Sequence, residues 1–273
     1  MRVRFLVHKF GSSAPRELCD ALRMDYPTTK RLKVSETTFV PNYNDVIVNW
    51  GCIKLPTLWG TGSNDFSMLN GIPNVNDSSH RIRSLTKMKE AGVNVPEFTI
   101  QSDVAQQWLD SGRIVIARES TRSFGGRGIT VVENSSLPLG QALYTRYRPK
   151  RREYRVHVFR AVPGGELSII NVQQKRRRTG FREANPTVDS KIRSYANGWV
   201  FAREGVVAPE SVVSQSILAV QALGLDFAAV DVGWTEQGDI ATVYECNTAP
   251  GLKGTSIFLY ANAIRSYITN SHV

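Results

Sequence analysis

The sequence predicts a mixed α/β (α+β) fold, and three observations carry that prediction. Short β-branched runs such as Val3-Arg4-Phe5-Leu6-Val7 and Val46-Ile47-Val48 share the first part of the chain with segments of helical apolar spacing. Beyond residue 140 strand-like runs dominate. Near the end, Glu236-Gln237-Gly238-Asp239 carries a turn signal that folds two such runs into a hairpin. With 273 residues the chain has room for more than one hydrophobic core.

The elements follow in order. Residues 1–76 form a small N-terminal α/β unit, with a strand over 3–7 and a turn at Gly11-Ser12-Ser13. A helix over 15–22 follows, where Ser13 can cap and Pro15 suits the first turn. A buried strand spans 45–51, residues 55–71 read as loop, and Ile72-Pro73-Asn74-Val75 as a short edge strand. Residues 77–145 form a second unit. Its first helix, 78–92, is capped by Ser78 or Ser79, carries Ile82, Leu85 and Met88, and stops at Ala91-Gly92. Then come a strand at 97–100, a helix at 103–110, and strands at 113–118 and 129–132 around a glycine-rich loop. Residues 146–273 form the third unit, with strands at 154–160, 167–173 and 199–202, a helix over 209–223 stopped by Gly224, the hairpin, and a terminal helix over 256–268.

Composition narrows the function classes. The net charge of +10 indicates an anionic partner, and much of it lies in Arg146-Tyr147-Arg148-Pro149-Lys150-Arg151-Arg152 and Lys175-Arg176-Arg177-Arg178. Solvated hairpin ends are the plainer account of those runs. No stretch approaches the roughly 20 apolar residues of a membrane span. The first nine residues are too interrupted by charge for a signal peptide and read as a strand. Cys19, Cys52 and Cys246 form no CxxC and are expected to be reduced and buried, which fits a cytoplasmic location. The four histidines are scattered without metal-ligand spacing, which argues against zinc.

The chemistry-bearing residues cluster at the C-terminal hairpin. Strand alternation points Glu245 and Asn247 one way, and Tyr244 and Cys246 the other. The turn brings Asp231 beside them, so three oxygen ligands share one end of a sheet face. Such ligands suit Mg²⁺ bound together with phosphates; a surface hairpin with solvated polar residues is the alternative. The loop Ser123-Phe124-Gly125-Gly126-Arg127-Gly128 has strands on both sides, which argues against a P-loop or dinucleotide fingerprint. Its glycines still permit close backbone approach to a triphosphate, or a plain hairpin turn.

Taken in order, these elements resemble the ATP-grasp superfamily, and the hairpin resembles that of carboxylate–amine ligases such as the ribosomal-protein glutamate ligases. The resemblance covers about residues 76–262. It implies two α+β subdomains clasping ATP, residues 77–145 and 146–273, after the small N-terminal domain. Lys87, before Ala91-Gly92-Val93-Asn94-Val95-Pro96, looks like the first phosphate-binding lysine. Arg118 stands where a second lysine is usual, and Ser123, Gly125, Gly126 and Gly128 would cover the phosphates. Arg146, Tyr147 and Arg148 fall at the adenine linker, where the usual acidic residue is missing. Glu153 and Arg155 look like the family's D/E-x-R strand, and Lys175 would be a further candidate to hold the phosphates. Asp231, Glu245 and Asn247 would hold one or two Mg²⁺ ions, with Mn²⁺ as a substitute.

The implied reaction is ATP-dependent ligation through an acyl-phosphate, releasing ADP and phosphate. The substrates would be a small-molecule or peptide carboxylate and an amine, of anionic character. A cation is needed at the acyl oxygen. Some family members place an arginine two residues before the first metal aspartate, where this chain has Ala229. Arg155, Arg182 and Arg193 are the candidates for that role. Homodimers are common for the fold. Two further readings stand beside the ligase: a kinase on the same fold, and a nucleic-acid- or polyanion-binding protein with regulatory ATP. The second, less favoured, rests on the basic runs interleaved with Tyr147, Tyr154 and Phe181.

Overall fold

The computed structural model describes residues 1–60, 66–122, 127–133, 136–188 and 191–271. Three sheets succeed one another along the chain. The first is all-parallel, in the order β2-β1-β3-β4, from β1 (Arg2–Val7), β2 (Lys30–Lys33), β3 (Asp45–Trp50) and β4 (Ser67–Leu69). All six residues of β3 are buried, as a central parallel strand covered on both faces requires. Helix α1 (Ser13–Leu22) lies on this sheet. The short strands β2 and β4 carry no apolar run of their own, so periodicity alone does not reveal them.

The 72–79 segment corrects the expected edge strand. It is helix α2 (Ile72–Ser79), with Pro73 in its first turn and Val75 buried. A proline here fits a helix start, where its missing N–H would have had no partner. The helix expected over 78–92 is likewise two. Helix α3 (Arg81–Glu90) begins after His80, whose extended backbone (φ −101°, ψ 107°) breaks the continuity. His80, not Ser78 or Ser79, is the capping residue: its Nδ1 accepts from the Arg83 amide at 3.5 Å. Ser78 is buried and donates instead to the Cys246 carbonyl at 2.9 Å.

The second sheet, in the order β5-β8-β6-β7, is antiparallel, from β5 (Phe98–Thr99), β6 (Val115–Arg118), β7 (Ile129–Val132) and β8 (Leu143–Arg146). Helix α4 (Ser102–Asp110) packs on it through Ala105 and Trp108. Strands β6 and β7 flank the glycine-rich loop as a hairpin, with Arg118 opposite Ile129.

The third sheet is antiparallel in the order β11-β10-β9-β12-β13. Its strands are β9 (Arg152–Phe159), β10 (Ser168–Arg177), β11 (Trp199–Ala202), β12 (Phe227–Thr235) and β13 (Ile240–Asn247). The four-residue α5 (Phe181–Ala184) lies between β10 and β11. Helices α3 and α6 (Glu210–Ala222) cover one face, on Tyr154, Val156, Val158, Val230 and Val232. The other face is half covered by α7 (Thr255–Asn270), whose Tyr260 meets Trp50, Phe159 and Phe227 edge-on. That contact seals the first sheet to the third. Asn70 (φ 61°) adds a polar latch: its amide donates to Asp226, and its side chain bonds the backbone of Asp226 and Phe227. Among the described residues no helix is long and apolar enough to cross a membrane.

Candidate functional site

The half of the third sheet's face beyond α7 is graded. Alternation puts Phe159, His157, Arg155 and Glu153 on the same side of β9, and Phe227, Ala229, Asp231 and Gly233 beside them on β12. The rows therefore run from aromatic core to charge. Phe159 stacks on Phe227 at 5.4 Å, and His157 contacts the Tyr260 hydroxyl at 3.0 Å. The next row holds Gln173, Arg155, Asp231 and Glu245 in register across four strands. The last holds Glu153 opposite Gly233, with Lys175 bonded to Glu153.

A β-bulge makes this row possible. Asp231 pairs with Glu245 but Val232 pairs with Val243, so Tyr244 is an extra residue on β13. Without the bulge, Val243 and Glu245 would share a face. With it, Val243 turns to the helices while Glu245 joins Asp231. Tyr244 does not point away from Glu245, contrary to simple alternation. Its hydroxyl lies over Gly233, where an added Cβ would stand 2.2 Å from it.

The ion pairs are dense. Arg155 grips Asp231 with Nε–Oδ1 at 2.7 Å and Nη2–Oδ2 at 2.8 Å, and stacks on Phe201 at 4.3 Å. Burial pushes the Asp231 carboxyl above its ordinary value, against the pull of Arg155 and Lys175. Burial acts the same way on Glu245, but Arg81 overrides it and holds that carboxyl well below the ordinary range. Arg81 bonds the Glu245 carboxylate and donates to the Tyr244 carbonyl at 2.9 Å. Asn247 Nδ2 donates to Glu245 Oε1 at 3.1 Å and to the Ala229 carbonyl at 3.3 Å. Arg118 stands near Arg81 and Glu245; burial and the Arg81 charge push its pKa down to about 10, and its Nε has no hydrogen-bond partner.

At the other end Lys150 and Lys175 flank Glu153. Burial opposes ionisation of Glu153, yet the two ammonium groups keep its pKa low. Lys150 lies over the rings of Tyr147 at 5.4 Å and Tyr244 at 4.8 Å. Arg193 donates to the carbonyls of Lys150 and Arg151 at 2.9 and 3.2 Å.

The structure thus brings together Asp231, Glu245, Asn247, Arg155, Arg118, Glu153, Lys175 and, at the rim, Arg193. Others lie apart. Lys87 is ion-paired to Asp77 of α2, and Arg182 is exposed on α5. Arg146 and Arg148 both bond Glu97, while the Tyr147 amide donates to the Ile114 carbonyl. Gly128 takes φ 62° at the foot of the glycine-rich loop. Ser123, Gly125 and Gly126 lie outside the described residues. Tyr154, grouped by sequence with the basic runs, is a core residue at 1% exposure.

Sequence reasoning missed Arg81 and Lys150. Arg81 carried a readable signal. A guanidinium in the first turn of a helix opposes the helix dipole, so its presence implies a carboxylate partner. Lys150 sits inside a charge run and carried none.

No protein-family model matches the sequence, and no curated protein matches it. Solved structures do. D-alanyl-alanine synthetase A from Vibrio cholerae aligns over 99% of this chain and 98% of its own, with 14% identity and TM-score 0.66. The ATP-grasp ligase PsnB, complexed with a minimal precursor, aligns over 97% and 99%, with 10% identity and TM-score 0.68. An ADP complex of N5-carboxyaminoimidazole ribonucleotide synthetase aligns over 98% of this chain and 77% of its own, with 13% identity and TM-score 0.67. The sheet order, the bulged hairpin and these alignments over nearly the whole chain lead to one conclusion: this chain has the ATP-grasp fold.

Proposed function

We propose that the protein is an ATP- and Mg²⁺-dependent carboxylate–amine ligase acting through an acyl-phosphate. The observation that carries this reading is the row Arg155–Asp231–Glu245, with Arg81 of α3 and Arg118 of β6 facing it. A site with paired carboxylates, an amide oxygen and converging guanidinium groups suits a nucleotide triphosphate better than an uncharged ligand.

The donor chemistry fits a hard divalent cation. Asp231, Glu245 and Asn247 supply only oxygen ligands, and the bulge sets them at one end of one face. Each carboxylate neutralises a guanidinium, so the site already holds positive charge against both. Mg²⁺ held there would polarise the phosphoryl oxygens.

The chain's own residues would do the rest. Arg118 and Arg81 would hold phosphate oxygens, with Lys175 closing the far side; Lys87 would serve only if it left Asp77. Glu153 would accept from the nucleotide sugar beside the 146–148 linker. A substrate carboxylate oxygen attacks the γ-phosphorus and ADP leaves. An amine then attacks the acyl carbon, loses a proton and expels phosphate. Arg155 is the best-placed group for the developing oxyanion, because Asp231 and Phe201 fix its plane. Arg193 is next in line, and exposed Arg182 the least suited.

Incubation with ATP, Mg²⁺ and panels of amino acids and peptides tests the proposal. ADP release that depends on both a carboxylate and an amine, with a new amide seen by mass spectrometry, is the expected result. A stable phosphorylated product without amide would assign a kinase instead.

A further inference from the structure

The outer end of the β10–β11 ribbon carries Arg176, Arg177 and Arg178, which the site does not use, and they adjoin Arg193 at the rim of the site. Pairing between β10 and β9 ends at Gln174, and Lys175, Arg176 and Arg177 continue in register with β11. Arg177 stacks on Trp199 at 4.9 Å, and Arg193 on the same indole at 4.6 Å. Arg178 lies over both Phe181 at 4.8 Å and Tyr195 at 4.8 Å. Arg176 is exposed and, by strand alternation, points to the face opposite Arg177.

Among the described residues none of these four guanidinium groups has a carboxylate partner, whereas Arg146, Arg148, Lys150, Arg151 and Lys175 all do. The Nε atoms of Arg177, Arg178 and Arg193 and the Trp199 indole N–H are covered and lack any hydrogen-bond partner. Rings hold the guanidinium planes of Arg177, Arg178 and Arg193, so their forks are ordered before a ligand arrives, while Arg176 stands exposed beside Gln174. Arginines without an ion-pair partner on a chain of net charge +10 call for an anionic partner.

The placement decides which partner. An extended acidic peptide lies along one face or one edge of a ribbon. Here positive charge occupies both faces and the tip, and the stacked rings are already taken by arginines, which leaves little for base stacking. A two-stranded ribbon that is charged on both sides fits into a groove lined by two phosphate backbones. We propose that the Arg176–Arg178 end of the β10–β11 ribbon, with Arg193, is a docking surface for double-helical nucleic acid, held by phosphate contacts without base readout. The contacts of Arg176, Arg177 and Arg178 do not depend on the ligase reading, because none needs a bound nucleotide; Arg193 alone is shared with the rim of that site.

Fluorescence anisotropy of the full chain with a labelled 20-base-pair duplex, in DNA and RNA form, tests it across a salt series. Four phosphate contacts predict a log–log salt slope of about −3.6 for a DNA duplex. Arg176→Gln with Arg178→Gln should weaken binding at least tenfold and bring the slope to about −1.8. Lys30→Gln, an exposed lysine on β2, should change neither. Thermal melts of each variant confirm that the fold is kept, and Arg176→Gln alone, at the exposed position, should move the slope by about 0.9 if the double variant melts early. Three results would overturn the proposal: no duplex binding at 50 mM salt, equal loss in Lys30→Gln, or Arg176/Arg178-dependent binding of a poly-glutamate peptide in place of the duplex.

Discussion

Arg155 and Asp231, opposite each other on β9 and β12, form a two-pronged ion pair with N–O distances of 2.7 and 2.8 Å. The pair sits where the sheet face changes from aromatic core to charged site. It neutralises a buried carboxylate, and it fixes the guanidinium plane on Phe201.

Removing one partner strands the other. Asp231→Asn should abolish turnover and also lower stability, by about 3 kcal/mol, because the Arg155 charge loses its compensation. The neutral pair Asp231→Leu with Arg155→Leu should recover most of the stability but none of the activity. Urea unfolding of the three variants measures the coupling.

Glu245→Gln separates function from fold more cleanly, since the side chain lies nearer the rim, with 31% exposed. Turnover should fall by about 100-fold or more with a melting temperature close to wild type. Arg81→Met should raise the KM for ATP, which steady-state kinetics in both variants will resolve.

The Tyr244–Gly233 contact makes a steric prediction. Gly233→Ala places a methyl against the Tyr244 hydroxyl and should cost about 1–3 kcal/mol. Tyr244→Phe removes a buried hydroxyl that has no hydrogen-bond partner and should be neutral or slightly stabilising. Combining the two should relieve part of the glycine penalty, as read by chemical denaturation.

His157 makes stability depend on pH. Burial and then the Arg155 charge push its pKa down to about 3, from an unfolded value of 6.5. The unfolded chain therefore binds more protons between those values, so this contribution is fully present above about pH 6.5 and lost as pH falls toward 3. The slope is at most about 1.4 kcal/mol per pH unit. Replacing His157 with Gln should flatten that part of the unfolding-energy profile between pH 4 and 6.5.

The fold was legible in the sequence because its main strands are apolar runs with clear stops, and because Gly92, Gly224 and Gly238 punctuate them with positive φ. The meeting of Asp231, Glu245 and Asn247 on one sheet face was legible from their spacing around one turn. The bulge at Tyr244 was not, since an extra strand residue leaves no trace in hydrophobic alternation. Nor was the break at His80, which rests on one residue's backbone angles. Arg81 shares its helix with Lys87, and only the tertiary packing turns Arg81 to Glu245 and Lys87 to Asp77. Lys150 has local partners in Tyr147 and Glu153, but its contacts with the Lys191 carbonyl and the Tyr244 ring, and that of Arg193 with the Lys150 carbonyl, join chain segments about 40 to 100 residues apart, beyond any local pattern.

The central claim is that the Asp231–Glu245 site makes an acyl-phosphate. Hydroxylamine trapping tests it directly, in mixtures of ATP, Mg²⁺ and a carboxylate panel without an amine. The account predicts a hydroxamate formed in step with ADP by the wild type and lost in Glu245→Gln. ADP release with no hydroxamate from any carboxylate, or hydroxamate formation undiminished in Glu245→Gln, would contradict it.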